Sequence, residues 1–177
     1  MQPQIPHPYG LNEGYMWLPT PVEWFADIPE HVFVDGIELE RKTSFHVSLF
    51  ELPHLVAFIA ERTGVSPDEV EKKVLAHFLS YVAEKPITFK AFLDDFRCVE
   101  KEERKSVVVR CEIHNLNGFF EVLENEFGIS VYRQPAHVTI YTLGLNKGIG
   151  LHTLEEMESL PKVDLPEVFI SIYDIIT

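Results

Sequence analysis

Apolar and polar residues alternate along Thr43–Phe50 and again along Ala136–Thr142, the pattern of a half-buried β-strand. In the first, His46 and Ser48 share one face, while Phe45, Val47 and Leu49 take the other. In the second, His137, Thr139 and Tyr141 share a face and Val138 and Ile140 oppose them. His31–Leu39 is a further strand, joined to Thr43–Phe50 through the charged turn Glu40-Arg41-Lys42 or broken earlier at Asp35-Gly36, a strong turn signal. Gly14–Leu18 reads as a short strand and Pro21–Phe25 as a helical turn, within a first 30 residues rich in proline and aromatics that read as an N-terminal arm. Ile87–Phe89 predicts a strand, with a turn or helix from there to Phe96. Asp95–Lys101 and Ser106–Ile113 form a hairpin, and Glu167–Ile175 a last strand.

The 3.6-residue period marks the helices. Pro53–Arg62 carries Leu55, Val56, Phe58 and Ile59, with Gly64 as its C-cap. Ser66-Pro67-Asp68-Glu69 opens a longer helix that runs to about Ala83: a hydroxyl N-cap, proline in the first turn and acids that complement the helix dipole. Asn115–Phe127 and Leu151–Leu160 complete the set, and Leu143–Gly150, with three glycines, is a loop. Strands and helices segregate rather than alternate, so the fold class is α+β, in one domain spanning residues 1–177.

Composition narrows the function classes. The chain has 177 residues, 46% hydrophobic and 24% charged, which supports a real core and excludes a disordered chain. No apolar run approaches the roughly 18 residues that span a bilayer, and the first residues lack a signal peptide's basic and apolar regions, so a cytoplasmic protein without membrane association is expected. A net charge of −13 argues against an extended nucleic-acid surface but leaves room for a small nucleotide or a single RNA end. Two cysteines, Cys98 and Cys111, fit neither a disulfide framework nor a zinc motif and read as buried thiols. No clustered-carboxylate or HExxH pattern calls for a metal, and no cofactor is expected.

The candidate chemistry sits on the two alternating strands. Each carries an imidazole, a valine and a hydroxyl: His46-Val47-Ser48 and His137-Val138-Thr139. If the strands meet, one imidazole can take a proton and the other give one, and the hydroxyls can hold phosphate oxygens. Arg133, just before the second strand, offers a planar fork suited to phosphate, and Tyr141 a ring that could line the cleft. Arg41 and Lys42 precede the first motif and could face a phosphate or simply be solvated turn charges. The aromatics of the N-terminal arm, Tyr15 and Trp17 among them, could stack on a base.

This pair of tetrapeptides resembles the signature of the two-histidine phosphoesterases, which include RNA cyclic phosphodiesterases and LigT-type 2′-5′ RNA ligases. The resemblance implies two pseudo-symmetric lobes of antiparallel sheet with helices outside, and one motif strand from each lobe lining a cleft. It implies His46 and His137 as acid–base catalysts and Ser48 and Thr139 as phosphate ligands, acting on a 2′,3′-cyclic phosphate or a related phosphodiester of a nucleotide or RNA 3′ end, without metal. By similarity to the family's cyclic phosphodiesterases, His137 is the general base and His46 the general acid; a monomer is expected. The chain departs from the family in its proline-rich arm and in Pro135-Ala136 before the second histidine, where the family often has proline directly before it. Three alternatives stand beside this one: 2′-5′ RNA ligase activity, a non-catalytic nucleotide or RNA-end binding module of the same fold, and an interaction protein whose histidines are structural.

Overall fold

The computed structural model describes residues 4–144, 148–165 and 168. Eight strands form one antiparallel sheet: β1 (Gly10–Asn12), β2 (Tyr15–Pro19), β3 (His31–Val34), β4 (Ile37–Arg41), β5 (His46–Glu51), β6 (Thr88–Lys101), β7 (Arg104–His114) and β8 (His137–Thr142). Helices α1 (Leu52–Thr63), α2 (Pro67–Glu84), α3 (Leu116–Phe127) and α4 (Leu154–Ser159) complete the described chain, which has the α+β class its patterning predicts. The pairing draws no boundary between two lobes; it runs continuously through β8. The expected strand Glu167–Ile175 lies, except for Val168, outside the described residues. Among the described residues, no helix is long and apolar enough to cross a membrane.

β8 is the centre of the sheet. One edge pairs with β7, and the other pairs with β5 and then β4, both antiparallel. The charged segment Glu40-Arg41-Lys42 is therefore not a hairpin turn. The reversal comes earlier, at Asp35-Gly36, where both residues have positive φ (54° and 77°). Such a turn suits the twist of its flanking strands, and a glycine enters it at no steric cost. Beyond it the chain stays beside β8: the Lys42 amide donates to the Ile140 carbonyl at 2.8 Å. From Arg41↔Tyr141 to Val47↔Val138, six residues pass while β8 moves three, so the extra residues after Lys42 loop away from the β8 ladder. Arg41 is used structurally, its guanidinium donating to the carbonyls of Phe25, Ala26 and Ile28.

The N-terminal arm is built into the sheet, since β2 pairs with β5 and buries Met16 and Leu18. The turn or helix expected before Phe96 is also corrected. β6 runs unbroken over 14 residues, with register shifts where that segment was ambiguous. Val47, Leu49, Val138 and Ile140 are fully buried. Phe50, at the end of β5, stacks on Phe119 of α3 and meets Phe78 of α2 edge-on. A smaller cluster, Val99, Val108, Ile149, Leu151 and Met157, seats the 149–157 segment against β6 and β7. Cys98 and Cys111 are free, buried thiols.

Candidate active site

The two motif strands are neighbours. Val47 pairs with Val138 and Ser48 with His137, and His46 and Thr139 follow just beyond these pairs. The His137 imidazole thus stands across from the Ser48 hydroxyl. The two imidazoles sit on a diagonal, where Cα atoms in a sheet are about 7–8 Å apart. With the valines in the core, His46, Ser48, His137 and Thr139 all line one cavity of about 500 Å³.

His137 is buried, and its Nδ1–H donates to the Pro135 carbonyl at 2.8 Å. In the neutral ring this leaves Nε2 as the proton acceptor. Burial pulls the His137 pKa down, while the Pro135 carbonyl and the Glu156 carboxylate work the other way. Among the described residues, His46 has no such carbonyl partner. Burial, then the Lys42 ammonium, then His137 bring its pKa down to about 4. Its ring lies 5.7 Å from the indole of Trp17, tilted by 48°.

Trp17 is the β2 partner of Ser48 and lines the cavity beside it. Gly10 makes this placement possible: a Cβ there would fall 2.0 Å from the indole ring. The lining also includes Gly148, Ile149, Gly150 and His152. Glu51, at the end of β5, accepts hydrogen bonds from the Tyr15 hydroxyl at 3.1 Å and from the His152 ring, and its amide donates to Gln134 Oε1 at 2.8 Å. The His152 ring stacks on His54 at 4.2 Å. The α4 start is held by a capping box in which Thr153 caps Glu156 and the Glu156 carboxylate accepts from the His152 amide. Among the described residues, no group of three or more His, Cys, Asp or Glu side chains is arranged to hold a metal ion.

Two candidate substrate contacts stand elsewhere. Tyr141 is fully buried, and its hydroxyl donates to the Pro29 carbonyl at 2.8 Å. The register of β8 against β7 slips between Val107 and Val108, inserting one residue near Ile140 and breaking the alternation that would set Tyr141 beside Thr139. Arg133 makes a bidentate pair with Glu124 (2.9 and 3.1 Å), lies over the Phe120 ring and borders a different cavity. The pairing holds the Glu124 carboxyl down at about 2.

Of the other cavity residues, Lys42 and Trp17 stand where the sequence allows a phosphate contact and a base contact, whereas His152 was not read as a site residue. Lys42 had a readable signal: Lys42, Ser44, His46 and Ser48 fall at every second position, and all four line the cavity. His152 had none, because a folded-back loop brings it in. Compared with models of known families, with the curated proteins and with the solved structures, the chain matches none.

Proposed function

We propose that the protein is a metal-independent phosphodiesterase of the two-histidine type, acting on a 2′,3′-cyclic phosphate or related nucleotide or RNA-end phosphodiester. The observation that supports this reading is the diagonal pair of imidazoles, gathered with the Ser48 and Thr139 hydroxyls on the wall of one cavity. A phosphorus atom between them would meet one imidazole on the side of attack and the other on the side of departure. Ser48 and Thr139 would donate to the non-bridging oxygens as negative charge grows. Trp17 offers a face for the base.

Both imidazoles are held towards the neutral form, so the assignment of His137 as general base and His46 as general acid rests on the resemblance. Burial and the nearby Lys42 keep His46 unprotonated at neutral pH. Burial also lowers the His137 pKa, and the Pro135 carbonyl and Glu156 offset that only in part. In hydrolysis, water loses a proton to one imidazole as it attacks phosphorus, and the departing ribose oxygen takes one from the other. The ring opens to a phosphomonoester, and the proton balance of the two imidazoles is restored by solvent.

The test is turnover of nucleoside 2′,3′-cyclic phosphates and 2′-5′-linked dinucleotides, in chelator, by the wild type and by His46→Ala and His137→Ala. Each substitution is expected to cost roughly 10²–10⁴ in rate. Unchanged activity in both variants would overturn the reading, and binding without product would make the protein a recognition module.

A further inference from the structure

Three cationic side chains are buried among the described residues, and two of them have carboxylate partners. Arg97 pairs with Asp95, and Lys105 with Glu100 and Asp35 at 3.1 Å. Lys42 is 8% exposed and has no ion pair or side-chain hydrogen bond among the described residues. A buried ammonium without a counter-charge is costly, and buried charges are ordinarily paired. Lys42 instead lines the cavity, close enough to His46 to depress that imidazole's pKa. Lys101 and Arg104, cross-strand partners at the β6–β7 turn, line the same cavity and also lack an ion pair among the described residues. The carboxylates on this wall are Glu13 and Glu51, and Glu51 is engaged by His152 and Tyr15. In a chain of net charge −13, this is a local concentration of unpaired positive charge.

We infer that Lys42, supported by Lys101 and Arg104, forms a second anion subsite in the cavity, which holds a phosphate of the substrate other than the one attacked. The inference rests on the phosphodiesterase reading and narrows its substrate class. The preferred substrate is a nucleotide or oligonucleotide end with at least two phosphates, rather than a nucleoside cyclic monophosphate. Ser48 and Thr139, neutral donors, suit the monoanionic diester between the imidazoles. Lys42 suits a group of higher charge, because an ammonium gives a point charge and three donors without fixed geometry. The anion would supply the counter-charge that Lys42 lacks in the protein itself.

Two measurements test this. The first compares kcat/KM for adenosine 2′,3′-cyclic phosphate with and without a 5′-phosphate. The wild type is expected to favour the 5′-phosphorylated form by about tenfold or more, the usual worth of one charge-assisted hydrogen bond. That preference should fall towards one in Lys42→Met, whose apolar chain fits the buried position, and should shrink in Arg104→Gln. The second is calorimetric binding of inorganic pyrophosphate, which needs no turnover; Lys42→Met should weaken it about tenfold or more. Turnover with no preference for the second phosphate, and pyrophosphate binding equal in all three proteins, overturns the subsite and leaves the phosphodiesterase reading standing. Lys42-dependent pyrophosphate binding without turnover of either nucleotide does the opposite.

Discussion

Acidification from pH 7 to pH 5 should destabilise the protein through His46. Its folded pKa is about 4, against about 6.5 for an unperturbed imidazole. Between those values the unfolded chain takes up a proton that the folded chain refuses. The stability this group contributes is whole above pH 6.5 and is lost as the pH falls towards 4. Linkage puts the loss between pH 7 and pH 5 at about 2 kcal/mol for this one group. His137 adds to it in the same direction, since burial depresses its pKa too. The carboxyls of Asp95, Glu112, Glu124 and Glu126, all held below their ordinary values, act in a lower window. Their contribution is present above the ordinary carboxyl pKa of about 4 and is lost below it. Urea unfolding at half-unit steps from pH 7.5 to 5 is the assay, run on the wild type and on His46→Gln. The absolute stability of the variant is immaterial; the difference in slope is what counts. The variant should lose about 2 kcal/mol less than the wild type over the interval. Parallel curves for the two proteins would refute a buried, neutral His46.

Three further outcomes follow from the cavity walls. Lys42→Met removes a positive neighbour from His46, so the His46 pKa should rise from about 4 towards its ordinary value, read by NMR titration of the ring carbons; an unmoved midpoint would detach Lys42 from the site. Gly10→Ala places a methyl where the Trp17 indole now lies, so Trp17 must swing aside; in a Trp24→Phe background the emission spectrum should shift and KM should rise, and an unchanged spectrum would sink the close approach. Arg133→Ala should leave kcat/KM within about twofold of the wild type, because its guanidinium is committed to Glu124 and borders another cavity; a loss of tenfold or more would return it to the site.

The motif strands were readable because alternation survives where pairing is regular. Val47 and Val138 go inward, and the four polar side chains follow outward without further information. Reading fails where the ladder is irregular. Tyr141 is one such case, displaced from the expected face by a slip near Ile140 that no residue type announces. The route from β4 to β5 is another: Glu40-Arg41-Lys42 has the composition of a turn, yet the positive-φ pair at Asp35-Gly36 takes the reversal and leaves Lys42 buried beside β8. Arg133 was placed correctly along the chain, but its partner on α3 is set by tertiary packing that the sequence does not display. Trp17 and His152 enter the cavity from segments whose pairing partners are distant, and only the assembled sheet brings them there.

The pairing of Ser48 with His137 has an implication for ancestry and for reversibility. Two antiparallel tripeptides in this alignment are exchanged by a half-turn about an axis through the midpoint of Val47 and Val138. That equivalence comes from strand direction alone, so it asks for no tandem copying of an older half-sized gene. On the phosphodiesterase reading, the polar wall by itself would treat the incoming and the outgoing oxygen alike, and the ammonium beside His46 and the carbonyl behind His137 are what make its two ends differ.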